Sequence, residues 1–377
     1  MNGALDRNAL YYPYIHFRDL NWLKATLLCF PQVRRIVPAR FALNDSPDVQ
    51  EFTKLKGPSG QPLVLEEPAY SGAAYEAQRR LTQRLKNVPQ VSLAGFTRRR
   101  TEQAYPENPE VFQIHRGKMD ELLELLRGAK LAWPARVGRG LNERDWFAMH
   151  PKLGEAVMST IAIAIASEHG LDIVTSSGTV HRALACLDEE AIFQNLTSSV
   201  RKSHIARENA TPQIVDELSQ VVMLTTFDFR KLSPAQIGEL VKDGKGLRRF
   251  KDGLVKIASR IPDIPDPPER QLKLREAAKQ VAEEWEDYRK SLPKFVLEAL
   301  VSAAEYKMPE IIGGILAGAT SCAVLTAGSG LAIGLATFAG VKIWNAYKEK
   351  ANSPYQYLSK IAKQGALLSS RAEAVQS

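Results

Sequence analysis

The sequence predicts an α/β N-terminal region, a mostly parallel sheet with helices, followed by a mainly α-helical C-terminal region with a Gly-rich hydrophobic helical hairpin. Three observations predict it. Strand and helix patterns alternate between Ala9 and Val37, a further strand signal at Leu171–Val174 follows a long apolar helix, and helical periodicity runs almost unbroken after Pro212. No internal repeat is found.

Ala9–Ile15 (ALYYPYI) reads as a Tyr-rich buried strand, and Pro13 within it predicts an edge position or a bulge, since proline brings no ladder donor. Asp19 is placed to cap a helix whose Leu20, Leu23, Leu27 and Leu28 share one face, and Pro31 stops that helix. Val33–Val37 (VRRIV) returns as a strand, so strand, helix and strand follow within about 30 residues, the span of a parallel crossover unit. Asn44-Asp45-Ser46-Pro47 starts a helix with proline in its first turn. A Gly/Pro stretch from Gly57 to Pro62 precedes the apolar Leu63-Val64-Leu65, and Tyr75–Leu85 is a charged helix. Val111–Ile114 and Leu131–Trp133 are strand candidates on either side of the amphipathic Met119–Leu126. Pro151 opens a helix running through Ile165, apolar on most sides and therefore buried, and His169-Gly170 closes it with the glycine suited to a left-handed cap. Leu171–Val174 is a short strand, with Thr175-Ser176-Ser177-Gly178-Thr179 at its carboxyl end.

In the second half, Ile214–Leu224 is a helix, and Ser233-Pro234 opens another with a serine cap and proline in first position. Ile261–Pro268 is a stiff, extended, proline-rich connector. Glu269–Leu292 is a long amphipathic helix with Leu274, Ala278, Val281, Trp285, Tyr288 and Leu292 as its apolar seam. The expected organisation is an α/β domain over 1–210, a helical region over 211–300 containing the connector 261–268, a hairpin over 301–350 and a tail over 351–377.

The hairpin has an unusual composition. No charged residue occurs from Ile311 to Val341, and Gly314 with Gly318, and Gly330 with Gly334, form GxxxG pairs that allow close helix approach. Gly328-Ser329-Gly330 is the natural turn. Each arm of about 17 residues would span roughly 25 Å, near the lower limit for a hydrocarbon layer of about 30 Å. The outer ends carry Tyr306 and Lys307 on one side and Lys342, Trp344, Tyr347, Lys348 and Lys350 on the other, a basic and aromatic flanking that suits an inserted hairpin with both ends cytoplasmic. The same small residues suit a hairpin buried in protein, and Lys342 intrudes into the second arm, so both alternatives stay open.

Of the 377 residues 45% are hydrophobic and 24% charged, an ordinary folded composition, and the net charge of +8 favours anionic partners. The positive residues form short clusters: Arg34-Arg35, Arg98-Arg99-Arg100, Arg136 with Arg139 and Arg144, and Arg248-Arg249 with Lys251. Such clusters offer nucleic acid a footing, although a basic surface also serves solubility alone. Cys29, Cys186 and Cys322 are far apart, which suggests neither a disulfide framework nor a zinc site. With no basic-then-apolar leader at the start, the expected location is the cytoplasm, with membrane association through the hairpin.

Neither a P-loop nor GxGxxG, HExxH or GxSxG occurs, and no cofactor or metal is expected. His16 follows the first strand beside Arg18 and Asp19, where an imidazole next to a carboxylate can act as acid or base; the competing role is a structural histidine bonded to the following turn. Ser176, Ser177, Thr179 and His181 surround the end of the Leu171 strand and could bind a phosphate. His115, His150, His169 and His204 show no metal-ligand spacing.

The stretch ALYYPYIHFRDLNWLKATLLCFPQVRRIVP, Ala9 to Pro38, resembles the start of a bacterial domain-of-unknown-function family. Its members open with a YYPYIH-type strand, an RD..WLK helix start and an RIVP strand. Here Tyr11, Tyr12, Pro13, Tyr14, Ile15, His16, Arg18, Asp19, Trp22, Leu23, Lys24, Arg35, Ile36, Val37 and Pro38 carry the match. Leu171–Thr175 and Leu247–Lys256 match more weakly. Such families look like members of accessory and phage-defence gene neighbourhoods, so the resemblance implies a defence or stress role, without catalytic residues. The leading expectation is a sensor and effector whose α/β half binds a ligand and whose hairpin engages the membrane, with a protein partner from a neighbouring gene and self-association as further expectations. The alternative is a soluble enzyme or nucleic-acid-associated defence factor with its site at the strand ends near His16 and Ser176.

Overall fold

The computed structural model describes residues 7–39, 41–99, 101, 111–119, 121–135, 143–176, 211–261, 267–290 and 353–366. Its centre is a parallel sheet of β1 (Ala9–Tyr11), β2 (Val33–Val37), β3 (Val64–Pro68) and β7 (Asp172–Val174), in the order β3-β2-β1-β7. Ala9 lies opposite Val33 on one side and Asp172 on the other. The strand expected over Ala9–Ile15 is therefore shorter, and it is interior rather than at an edge. Pro13 falls beyond the last paired residue, where its missing amide hydrogen leaves no gap in the ladder.

Side chains alternate across this sheet, as a period of two requires. Ala9, Tyr11, Val33 and Val64 enter one core, while Leu10, Tyr12 and Ile36 enter another. The second core is closed by α3 (Gly72–Lys86), α4 (Glu121–Gly128) and α5 (Pro151–His169). A small antiparallel sheet joins them, built from β4 (Phe112–His115), β5 (Ala132–Pro134) and β6 (Trp146–Met149) in the order β4-β6-β5. Strands near Val111–Ile114 and Leu131–Trp133 were legible; β6 was not, because WFAM is four residues without alternation. The helix expected from Pro151 is buried on most sides, and Gly170, at φ +62°, closes it in the left-handed conformation.

The first core is closed by α1 (Leu20–Leu27), α2 (Pro47–Phe52) and the helices of the second half: α6 (Thr211–Thr226), α7 (Pro234–Val241), α8 (Gly244–Ala258), α9 (Pro267–Lys290) and α10 (Gln356–Ile361). The N-terminal region is thus a parallel sheet with helices, and the C-terminal part is helical. Local chemistry sets the helix starts. The Asp19 carboxylate accepts the Trp22 amide hydrogen at 3.0 Å, Ser233 and Gln236 form a reciprocal capping box, and Asp243 accepts from the Gly246 amide at 3.0 Å. Leu274, Ala278, Val281 and Trp285, the expected seam of α9, are all buried. Tyr357 on α10 is buried as well, and its hydroxyl donates to the Leu28 carbonyl at 3.0 Å.

The run from Ile311 to Val341 lies outside the described residues, together with Gly314, Gly318, Gly328, Gly330, Gly334, Lys342 and Trp344. Among the described residues no helix is long and apolar enough to cross a membrane.

Candidate functional site

Open parallel sheets bind ligands at the carboxyl ends of their strands, where the strand order reverses. Here that place lies between β1 and β7, because β2 and β3 build outward on one side of β1 and β7 stands on the other. The Tyr11 hydroxyl meets Ser176 Oγ across it at 3.1 Å, and the Tyr11 ring packs on Phe17 and Trp22. Burial raises the Tyr11 phenol above its ordinary value, so it stays protonated as a donor. Ser177, Thr179 and His181, expected beside Ser176, lie outside the described residues.

His16 leans the other way, over β2. Its side chain is 42% exposed, and Nδ1 stands 3.3 Å from Asp45 Oδ1, on the segment that leads into α2. Arg35, wholly buried on β2, grips both oxygens of that carboxylate, one of them at 2.7 Å, and also reaches the Ile15 carbonyl at 3.4 Å. Burial works to raise the Asp45 carboxyl, but the bonds and charge of Arg35, with those of His16, outweigh it and hold the group below the usual range. An ionised carboxylate accepts only, so the proton of a neutral His16 sits on Nδ1 and the Nε2 lone pair is left open.

The neighbours expected from the sequence do something else. Asp19 is occupied in capping α1, and the exposed Arg18 lies over the Tyr14 ring at 3.5 Å. Asp45 and Arg35 are the residues the sequence reading missed. The available signal was Arg35 itself: an arginine facing inward on a buried strand must meet a carboxylate.

A second histidine completes the cluster. His115 ends β4, and its Nδ1 accepts the Gly117 amide hydrogen at 3.0 Å, which places the ring proton on Nε2. Gly117 is required by close approach: a Cβ there would stand 2.8 Å from Pro38 Cβ and 2.9 Å from His115 Nδ1. Burial lowers the His115 pKa; Lys118 and Arg116 lower it further, against the pull of Asp145, and the ring is neutral. The Phe41 ring lies against both histidines, its centroid 5.9 Å from His16 and 5.2 Å from His115, with Trp146 at 6.2 Å. Beneath them Lys118 is buried, donates to the Pro13 carbonyl at 3.0 Å, and is lowered by that burial to about 7. His16 and His115 thus present complementary chemistry, an open acceptor and an open donor, both packed against one aromatic ring.

Three of the basic residues singled out above are committed to pairs. Arg34 bonds Glu67, Arg35 holds Asp45, and the buried Lys251 Nζ stands 2.6 Å from Asp216 Oδ1. The last pair lies at the amino end of β7, beside Asp172, which Arg7 reaches at 3.4 Å. Burial pushes both carboxyls up, Asp216 to about 7 despite Lys251. A cavity of about 20 Å3 between Phe30, Asp172, Asp216 and Gln220 is large enough for a single water. Arg248 and Arg249 remain exposed. Among the described residues no group of three or more His, Cys, Asp or Glu side chains could hold a metal ion.

The helical layer has its own notable geometry at the end of α9 and the start of α10. Tyr288 near the end of α9 and Tyr355 just before α10 stand ring to ring at 5.9 Å, and the Tyr355 hydroxyl donates to Glu284. Trp285 Nε1 donates to Ser359 Oγ at 3.3 Å, and Lys360 Nζ to Asp243 at 2.6 Å. Comparison with known proteins found no family model, no curated protein and no solved structure that matches the chain.

Proposed function

We propose that the chain is a defence- or stress-associated sensor and effector in which the hairpin over residues 301–350 forms a membrane-engaging arm and the α/β layer senses the trigger. One observation carries this reading: Tyr288 and Tyr355, on either side of that segment in the chain, stand 5.9 Å apart. A chain that departs and returns at one point must enter and leave a bilayer from the same side, so it crosses an even number of times or only dips in. The uncharged run from Ile311 to Val341 and its basic, aromatic flanks supply the apolar length and the one-sided charge that such an arm needs. The resemblance of Ala9–Pro38 to a domain-of-unknown-function family whose members look like parts of defence gene neighbourhoods suggests the context.

The test is flotation of the full chain with vesicles containing one-third anionic lipid, at low and high salt. Binding that survives high salt, with residues near 300 and near 350 both protected from or both open to protease on the same side, supports the reading. Gly318→Leu and Gly334→Leu should reduce binding by an order of magnitude if the arms pack as a pair. Full recovery of the chain in the lipid-free fraction overturns it.

A further inference from the structure

We propose that the two histidines flanking Phe41 form a hydrolytic site for nucleotide-like phosphodiesters, with His16 Nε2 as general base and the neutral His115 Nε2–H as a hydrogen-bond donor to the phosphoryl group. The site belongs to the sheet and owes nothing to residues 301–350. Its argument is the fixed tautomers: Asp45 takes the Nδ1 hydrogen of His16, and the Gly117 amide fills Nδ1 of His115. Each ring is left with its Nε2 uncommitted, one as acceptor and one as donor, within 6 Å of the same half-buried Phe41. Asp45 is itself pinned by Arg35, so the base is oriented by a carboxylate that cannot turn away.

The substrate class follows from the surroundings. Phe41 and Trp146 offer ring edges and faces for a base or aryl group. Arg116, next to His115, favours an anion there; Asp145 stands at 4.0 Å from it, and the Arg116 side chain is 60% exposed. In the step proposed, a water gives its proton to His16 Nε2 as its oxygen bonds phosphorus. The bond from phosphorus to the leaving oxygen breaks on the opposite side, that oxygen takes a proton from solvent, and His16 Nε2 returns its proton to solvent. His115 Nε2–H and Arg116 hydrogen-bond the phosphoryl oxygens, on which charge grows. A diester and water become a monoester and an alcohol.

The experiment uses the full chain with thymidine 5′-(p-nitrophenyl phosphate) and bis(p-nitrophenyl) phosphate, following p-nitrophenolate release. His16→Gln should lower kcat by about 100-fold or more with KM little changed. Arg116→Ala should raise KM by about 10-fold, the weight of one charge-assisted contact. His150→Gln, a histidine outside the cluster, should leave both constants unchanged. Retained melting temperature and circular dichroism establish that each variant is folded. No release by the wild type, or an unchanged kcat in folded His16→Gln, overturns the proposal.

Discussion

The two ends of the parallel sheet hold the same kinds of groups in opposite arrangements. At the amino end of β7, Lys251, Asp216 and Asp172 are closed in against Phe30, with Lys251 and Asp216 both almost fully buried. At the carboxyl end, Arg35 and Asp45 are just as tightly paired, yet the pair supports His16, whose ring is partly exposed. One cluster satisfies itself and ties strand to helices. The other satisfies its inner members and leaves the outermost nitrogen unfilled. The difference teaches that burial of charge alone does not mark a site; what marks it is an ion pair whose last partner faces outward with valence to spare.

The largest test of that contrast is Lys251→Met, which leaves the buried Asp216 carboxyl without its cation. It should cost about 3–5 kcal/mol in urea unfolding, the usual penalty for breaking a buried pair. A loss below about 1 kcal/mol would mean that solvent reaches the cluster and that the two ends are not different in kind.

Next in size is the pH dependence, where the two ends have opposite signs. The carboxyls of Asp172 and Asp216 are raised, so the folded chain holds protons more tightly than the unfolded one, and stability should fall as pH rises from about 4 to about 7. Lys118 is lowered to about 7, so the unfolded chain binds the proton more tightly, and stability should rise between about 7 and 10.5. Denaturant melts across this range should show both limbs. Asp216→Asn should flatten the acid limb alone, and Lys118→Met the alkaline limb alone.

A smaller effect sharpens the carboxyl end. Gly117→Ala should destabilise by about 1–3 kcal/mol through contact with Pro38 and His115, whereas Gly128→Ala, with open space around it, should be neutral or slightly stabilising. Equal effects would remove the case for a tautomer set by close backbone approach. The smallest is Ser233→Ala, expected to cost about 1 kcal/mol by loss of its capping box, which belongs to neither cluster.

Much of the fold could be read in advance, because it rests on local signals. The alternation from Ala9 to Val37, the caps at Asp19, Ser233 and Gly170, and the seam of α9 all depend on residues within a turn or two of one another. The strand order did not follow, since pairing β1 with β7 joins residues more than 160 positions apart. The site was legible only in its first residue. His16 stood out at a strand end, but its working partner is 29 positions away at Asp45, and the nearer Asp19 serves the helix instead. His115 was weighed only for metal-ligand spacing, because its role depends on Phe41 and on an amide two residues on, neither of which forms a spacing motif.

The bond from Tyr357 to the Leu28 carbonyl joins positions 329 apart, and it seals the layer that covers the first strands. On the ribosome, the segment around Leu28 emerges long before Tyr357 has been made. At ordinary rates of about 5–20 residues per second the nascent chain waits tens of seconds for that closing piece. During that interval the apolar surface it will cover stays open, and holdase chaperones have their natural window of engagement there.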